Sequence, residues 1–248
     1  MLDKSRYAGE VSASGDAPEL PIAAVAVLDD DLRRGMYAFI RRARRPVTRD
    51  EAAAEVGISR KLAAFHLDKL VDAGLLVART EPGGGVRKVG RAPKVYEPAE
   101  VDIRIAIPPR QHDLLADILL HAVLTEEEGE TARQAALRTA RERGQQLGAA
   151  ERERTRPGKL GAERALTLAE EVLAQHGFEP SRRSPGCVRL LNCPFHPLAA
   201  RSPEVVCGIN HAFLAGFLTG LRATGAEATL EPRAGECCVQ LHRSGRAG

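Results

Sequence analysis

Apolar residues recur at helical spacing along much of the chain. Leu32, Met36, Phe39 and Ile40 form one stripe with Arg33, Arg34, Arg41 and Arg42 opposite, which predicts a helix over 32–43 that ends at Arg44-Arg45-Pro46. Thr48 is the expected N-cap of a second, short helix, because Asp50 and Glu51 put carboxylates in its first turn, where the helix dipole favours them. Gly57 stops that helix. Gly57-Ile58-Ser59 then makes a tight turn, Ser59 caps a third helix running to Ala73, and Gly74 closes it. Two helices joined by so short a turn form a helix-turn-helix. Residues 75–79 and 94–97 read as the strands of a wing, with Pro82-Gly83-Gly84-Gly85 and Gly90-Arg91-Ala92-Pro93 supplying the backbone between them.

A second helical stretch covers 111–150, where Leu114, Leu115, Ile118, Leu119, Ala122 and Val123 form a wide apolar face. The segment 131–154 is rich in Arg and Glu with a narrow Ala/Leu stripe. Such helices need a partner surface, and a two-fold dimer is the usual one. Beyond the Arg156-Pro157-Gly158 break, a helix is expected over 162–175, strands near 188–191, 226–231 and 237–242, and a helix over about 203–221. The predicted fold class is α+β: an N-terminal winged helix-turn-helix, central dimerisation helices and a small C-terminal α+β domain that holds the cysteines. The expected boundaries are a disordered leader at 1–28, the winged helix at 29–98, a helical linker and dimerisation region at 99–160, and a sensor domain at 161–248.

Charge sharpens the first of these assignments. Residues 32–98 carry 15 Lys or Arg against 7 Asp or Glu, whereas the whole chain has a net charge of only +3. The basic excess is therefore regional and suits a polyanion. The apolar run 22–28 is cut off by Asp29, Asp30 and Asp31, so no membrane span is expected, and residues 1–21 lack the pattern of a signal peptide. A cytoplasmic location is the expectation.

In a helix-turn-helix the second helix enters the major groove, so its inner stripe is apolar and its outer face is polar or small. Ala63, Leu67 and Leu70 are the inner set. Ser59, Arg60, Lys61, Ala64 and Phe65 are the candidate DNA-contacting positions, with Arg60 able to donate two hydrogen bonds to guanine and Ala64 or Phe65 able to touch a thymine methyl. Arg87, Lys88, Arg91 and Lys94 of the wing are candidate phosphate or minor-groove contacts. His66 is more readily a structural hydrogen-bonding residue at the helix contact. The segments GISRKLAAFHLDKLVDAGLL and GRAPKVYEP resemble the helix-turn-helix and wing of ArsR-like repressors over about 32–98. The resemblance implies a homodimer on double-stranded DNA with an inverted-repeat operator. Position 65, often polar or basic in such helices, is Phe, which favours apolar contact there.

All five cysteines follow position 186, with no signal peptide and no even-numbered disulfide framework, so reduced thiols or metal ligands are expected. Thiolates are soft donors suited to zinc or to iron-sulfur clusters. If Cys237 and Cys238 open a strand, their side chains point to opposite faces, and parity favours Cys237 as the one aimed at a centre. Cys187 is expected to behave as a small apolar residue. NCPFHPLAARSPEVVCGINHAFLAGFLTGL with GECCVQL resembles the C-terminal domain of the SufR repressors of iron-sulfur biogenesis and their actinobacterial relatives, over about 162–241. The resemblance implies a cluster held by Cys193, Cys207 and Cys237 that tunes DNA binding, with His196 or Cys238 as the candidate fourth ligand. A tetrahedral zinc site using Cys193 and His196 of the Cys-x-x-His pair is the alternative, as is an apolar effector pocket with structural cysteines. No nucleophile elbow, P-loop or dinucleotide fingerprint is present, so an enzyme is not expected.

Overall fold

The computed structural model describes residues 19–80 and 93–245. The chain divides into two compact units, Met1–Ile105 and Ala106–Gly248.

In the first unit, α1 (Glu19–Val27) precedes α2 (Asp31–Ala43), α3 (Arg49–Val56) and α4 (Arg60–Asp72). The start of α2 is capped by Asp30, whose carboxylate accepts from Arg33 N at 2.9 Å, and α2 ends where Arg44 turns left-handed. A capping box fixes α3: Thr48 Oγ1 accepts from Glu51 N while Glu51 Oε2 accepts from Thr48 N at 2.8 Å. The Arg45 guanidinium and these Thr48 bonds hold the Glu51 carboxyl down at about 2. The short strand β1 (Val47–Thr48) pairs with β3 (Lys94–Pro98), which also pairs antiparallel with β2 (Leu76–Thr80), so the order is β1-β3-β2. Met36, Ile40, Ala63, Leu67 and Leu70 are fully buried beneath this sheet edge, as their helical spacing predicts.

Residues 19–27, expected within a disordered leader, are helical instead. Ala24 is 1% exposed and joins the winged-helix core, while Arg33 Nε and Arg34 Nη1 donate to the Val27 and Leu28 carbonyls at the end of α1. Those carbonyls have no partner within the helix, and arginines from the next helix satisfy them.

In the second unit, α5 (His112–Leu124), α6 (Ala132–Thr155) and α7 (Ala162–Gln175) precede β4 (Pro180–Ser184) and β5 (Cys187–Leu190). The one-turn α8 (Leu198–Arg201) and the long α9 (Pro203–Gly220) follow, then β6 (Ala226–Leu230) and β7 (Val239–Arg243). The strands form an antiparallel sheet in the order β4-β5-β7-β6. One core joins α5, α6, α7, α9 and the sheet through Leu115, Ile118, Leu166, Phe178, Phe213, Phe217 and Leu241. The expected division near residue 160 is therefore not a division between units. The central helices share their core with the cysteine-bearing domain, and the break falls at 105/106.

Four glycines set how closely α6 and α9 approach. Added Cβ atoms on Gly144 and Gly148 would overlap the backbone of Phe213 and Phe217, and on Gly216 and Gly220 the backbone of Arg141 and Gln145. Contacts that advance together along both helices make the pair parallel. Only residues without a Cβ let the two backbones come this near. Gly208 differs, since its added Cβ would meet only the end of the Leu137 side chain at 3.4 Å. Valine at Gly144 or Gly216 should therefore cost on the order of 3 kcal/mol through overpacking, whereas Gly208→Ala should be neutral or stabilising through helix propensity. Thermal unfolding of the C-terminal unit followed by circular dichroism checks this, and unchanged melting of Gly144→Val would contradict the packing.

Candidate nucleic-acid interface and thiol cluster

The outward face of α4 carries the predicted DNA-contacting residues. Ser59 Oγ is spent on capping, accepting from Leu62 N at 3.3 Å. Arg60, Lys61 and Phe65 are exposed and Ala64 is half-buried, while Ala63, Leu67 and Leu70 face the core. Arg60 Nε pairs with Asp50 Oδ1 at 2.5 Å, and Lys94 Nζ with Asp68 Oδ1 at 2.8 Å. Hydrogen bonding to Asp68 raises the Lys94 pKa, so its ammonium stays charged. Exposed pairs of this kind contribute little, so both cations can exchange a carboxylate for a phosphate or a base edge. Arg87, Lys88 and Arg91 lie outside the described residues.

Phe65 is 54% exposed, with the His66 ring edge-on at 5.4 Å and Lys69 Nζ above it at 5.9 Å. A large apolar ring on the outer face of a recognition helix costs solvation in the free protein and suits contact with a thymine methyl. His66 itself is buried at the helix contact as expected, but the expected hydrogen bond is not made: its Nδ1 lies 3.9 Å from Asp30 Oδ1 and has no hydrogen-bond partner among the described residues.

The cysteines converge from three places in the second unit. Cys193 lies in the loop after β5, Cys207 in α9, and Cys237 and Cys238 in the turn leading to β7. Cys193 and Cys237, Cys237 and Cys238, and Cys207 and Cys238 stand near enough to perturb one another's ionisation. The strand-parity argument does not hold here, because β7 begins at Val239. Cys237 N donates to Leu190 O and Cys238 O accepts from Glu231 N, both at 2.8 Å, so irregular backbone turns both side chains inward and both are buried. The turn is braced by a half-buried ion pair between Arg189 and Glu236, and Arg189 Nη1 also donates to Gln240 Oε1 at 3.2 Å. Phe195, fully buried and edge-on to Phe178 at 6.5 Å, anchors the Cys193 loop.

Two further groups address the sulfurs. Asn210, fully buried on α9, donates Nδ2 to Cys237 Sγ at 3.1 Å, and its Oδ1 has no hydrogen-bond partner among the described residues. The backbone N–H groups of Phe195 and His196 favour the Cys193 thiolate, and that of Val239 favours the Cys237 thiolate. Opposing them, the hydrogen bond with Cys237 and burial push the Cys193 thiol far up. At Cys237 the Cys193 contact favours the thiolate, but the bond to Cys238 and burial outweigh it and leave the group at about 11. Burial raises Cys207 as well. At neutral pH these three are thiols, and metal uptake has to displace their protons.

His196 is exposed, and its carbonyl rather than its ring is engaged, with His112 Nε2 at 3.0 Å. Cys187 stands apart on β5, donating to Gln240 Oε1 at 3.8 Å. His211 Nε2 contacts Ala228 O at 2.9 Å and ties α9 to β6, a packing role. Among the described residues no three His, Cys, Asp or Glu side chains stand gathered about one point as ligands. The residues nearby are nonetheless soft donors: four mutually perturbing thiols, with an amide donating to one sulfur and backbone N–H groups favouring two of the thiolates. Asn210 carried no sequence signal beyond its place three residues after Cys207.

A family model described as a helix-turn-helix domain matches residues 28–79, which span α2, α3, α4 and nearly all of β2. No curated protein matches the chain. The match supports a helix-turn-helix DNA-binding regulator. No helix among the described residues is long and apolar enough to cross a membrane.

If α4 enters the groove, Phe65→Ala and Arg60→Ala should each weaken specific DNA binding by about 1–3 kcal/mol without lowering the melting temperature of the N-terminal unit. Fluorescence anisotropy on a selected operator, run beside thermal unfolding, reads both quantities. Intact affinity in both variants would exclude α4 as the reading helix.

Proposed function

We propose that this chain is a cytoplasmic transcription repressor that binds an inverted-repeat operator as a homodimer and whose DNA affinity is tuned by an iron-sulfur cluster in the C-terminal unit. The observation that carries the reading is the meeting of thiols from three separate stretches of sequence within the unit that follows the helix-turn-helix. Cys193, Cys207 and Cys237 are the proposed ligands. Cys238 is the proposed fourth, since it perturbs the ionisation of Cys207 and Cys237 while His196 is exposed.

The cluster would supply a redox-active centre that gathers the four sulfurs. Asn210 Nδ2 and the amides of Phe195, His196 and Val239 would stabilise the bound thiolates by N–H donation, which also sets the potential of such a centre. The Arg189–Glu236 pair keeps Cys237 and Cys238 turned inward. Cys237 and Cys238 are buried and Cys193 and Cys207 half-buried, which limits access of water to the sulfurs.

Protein purified without oxygen should show visible absorbance, with iron and sulfide in stoichiometric amounts. Serine at Cys193, Cys207, Cys237 or Cys238 should abolish that absorbance, while Cys187→Ser and His196→Ala should keep it. Colourless protein with stoichiometric zinc and no sulfide would replace the cluster by a structural zinc site.

The dimer reading rests on α5, where Leu119, Leu120, Val123 and Leu124 are exposed on one helix, 41%, 60%, 72% and 72% respectively. Leu115, by contrast, is 2% exposed and belongs to the core of its own unit. Glutamate at Leu120 and Val123 should therefore leave the fold intact and yield a monomer by light scattering, and a persistent dimer would exclude this helix as the seam.

A further inference from the structure

Resting on the proposed cluster-tuned regulator, we infer that the segment Pro109–His112 is the element that transmits the state of the thiol site to the DNA-binding unit, with Arg110 as its positioning residue. The first unit ends at Ile105 and the second begins at Ala106. Ile103 packs against the winged-helix core, so only residues 104–108 separate that anchor from Pro109.

Pro109–His112 is fastened almost entirely to the loop that carries Cys193. Arg110 Nη1 donates to Asn192 Oδ1 at 2.5 Å and to Cys193 O at 3.2 Å. Gln111 N donates to Pro194 O at 2.9 Å, and His112 Nε2 lies 3.0 Å from His196 O. Asn192, itself buried, donates Nδ2 to Pro109 O at 3.0 Å and to Gly177 O at 2.6 Å. Gly177 in turn faces Pro109, where an added Cβ would stand 3.0 Å from the proline Cβ. Every residue from Asn192 to His196 except Phe195 thus contributes a polar group to the connector or, at Cys193, both a carbonyl and a thiol.

This places a candidate ligand and the entry of the connecting chain on one rigid loop. Drawing the Cys193 sulfur toward a centre shared with Cys207, Cys237 and Cys238 moves the carbonyls of residues 193–196, and those carbonyls are what Arg110, Gln111 and His112 hold. The end of the short connector then shifts, biasing the two winged helices of a dimer toward or away from operator spacing. Asn192 and the backbone bond of Gln111 keep the connector attached when the side chains of Arg110 and His112 are removed. Removing both side chains should therefore weaken the coupling without unseating the segment.

The experiment measures operator affinity, by anisotropy, for cluster-loaded and metal-free forms of wild type, Arg110→Ala/His112→Ala and Arg110→Lys. Visible absorbance and iron content are read on the same samples. Wild type should show a loaded-to-free affinity ratio of roughly 5- to 150-fold. The double variant should keep its absorbance and its metal-free affinity, while its ratio falls at least several-fold below that of wild type. Arg110→Lys should give an intermediate ratio, because its ammonium sits on a shorter, differently directed stem that must still reach Asn192 Oδ1 and the Cys193 carbonyl. A double variant with the wild-type ratio overturns the inference and leaves the proposed function standing. A double variant that loses the cluster also overturns it, since the segment would then be a brace for Cys193 and not a transmitter. A wild-type ratio of one removes the proposed function and this inference together.

Discussion

The C-terminal unit depends on the backbone-to-backbone approach of α6 and α9. Gly144 and Gly148 on one helix and Gly216 and Gly220 on the other remove the side chains that would hold the pair apart. This fixes the height and rotation of α9. That rotation decides what α9 shows to the sheet: Phe213 and Phe217 go into the core, and Cys207 and Asn210 face the turn before β7. At about 1.5–3 kcal/mol for each fully buried large apolar side chain, the phenylalanines hold the helix on the sheet. The glycines decide where on the sheet it lies. A thiol site assembled from a loop, a helix and a turn needs that placement, because the turn with Cys237 and Cys238 lies at the far end of α9 and β6 from Cys193 and Cys207.

The N-terminal unit is readable from sequence for a different reason. Its helices are short, locally capped and separated by residues with one conformational role each, such as Thr48, Gly57, Ser59 and Gly74. Local rules therefore determine the elements, and α2, α3, α4 and the wing strands β2 and β3 lie within a residue or two of their expected bounds. α1 escaped because its sequence gives no amphipathic stripe. What orders it is tertiary: Ala24 in the core and two arginines of α2 on its terminal carbonyls.

In the second unit the elements were legible and their association was not. The i, i+4 glycine spacing occurs in both α6 and α9, but it gains meaning only once the helices are known to be neighbours. Cys238 shows the same limit from the other side. Period-two alternation would have turned it away from Cys237, yet the strand starts two residues later and the turn before it, held by Arg189 and Glu236, obeys no such alternation. Asn192 and Arg110 stand 82 residues apart in sequence, a separation at which no local pattern predicts a contact.

The central claim is that the thiol site and the DNA-binding unit share one free-energy coupling. Linkage makes that coupling reciprocal, so whatever the oxidation state of the centre does to operator affinity, operator DNA must do to the redox equilibrium. The direct test is the midpoint potential of the anaerobic protein measured with and without saturating operator. The account predicts a shift on the order of 59 mV for a tenfold one-electron coupling, absent with DNA of unrelated sequence. An identical potential in the presence and absence of operator would contradict it.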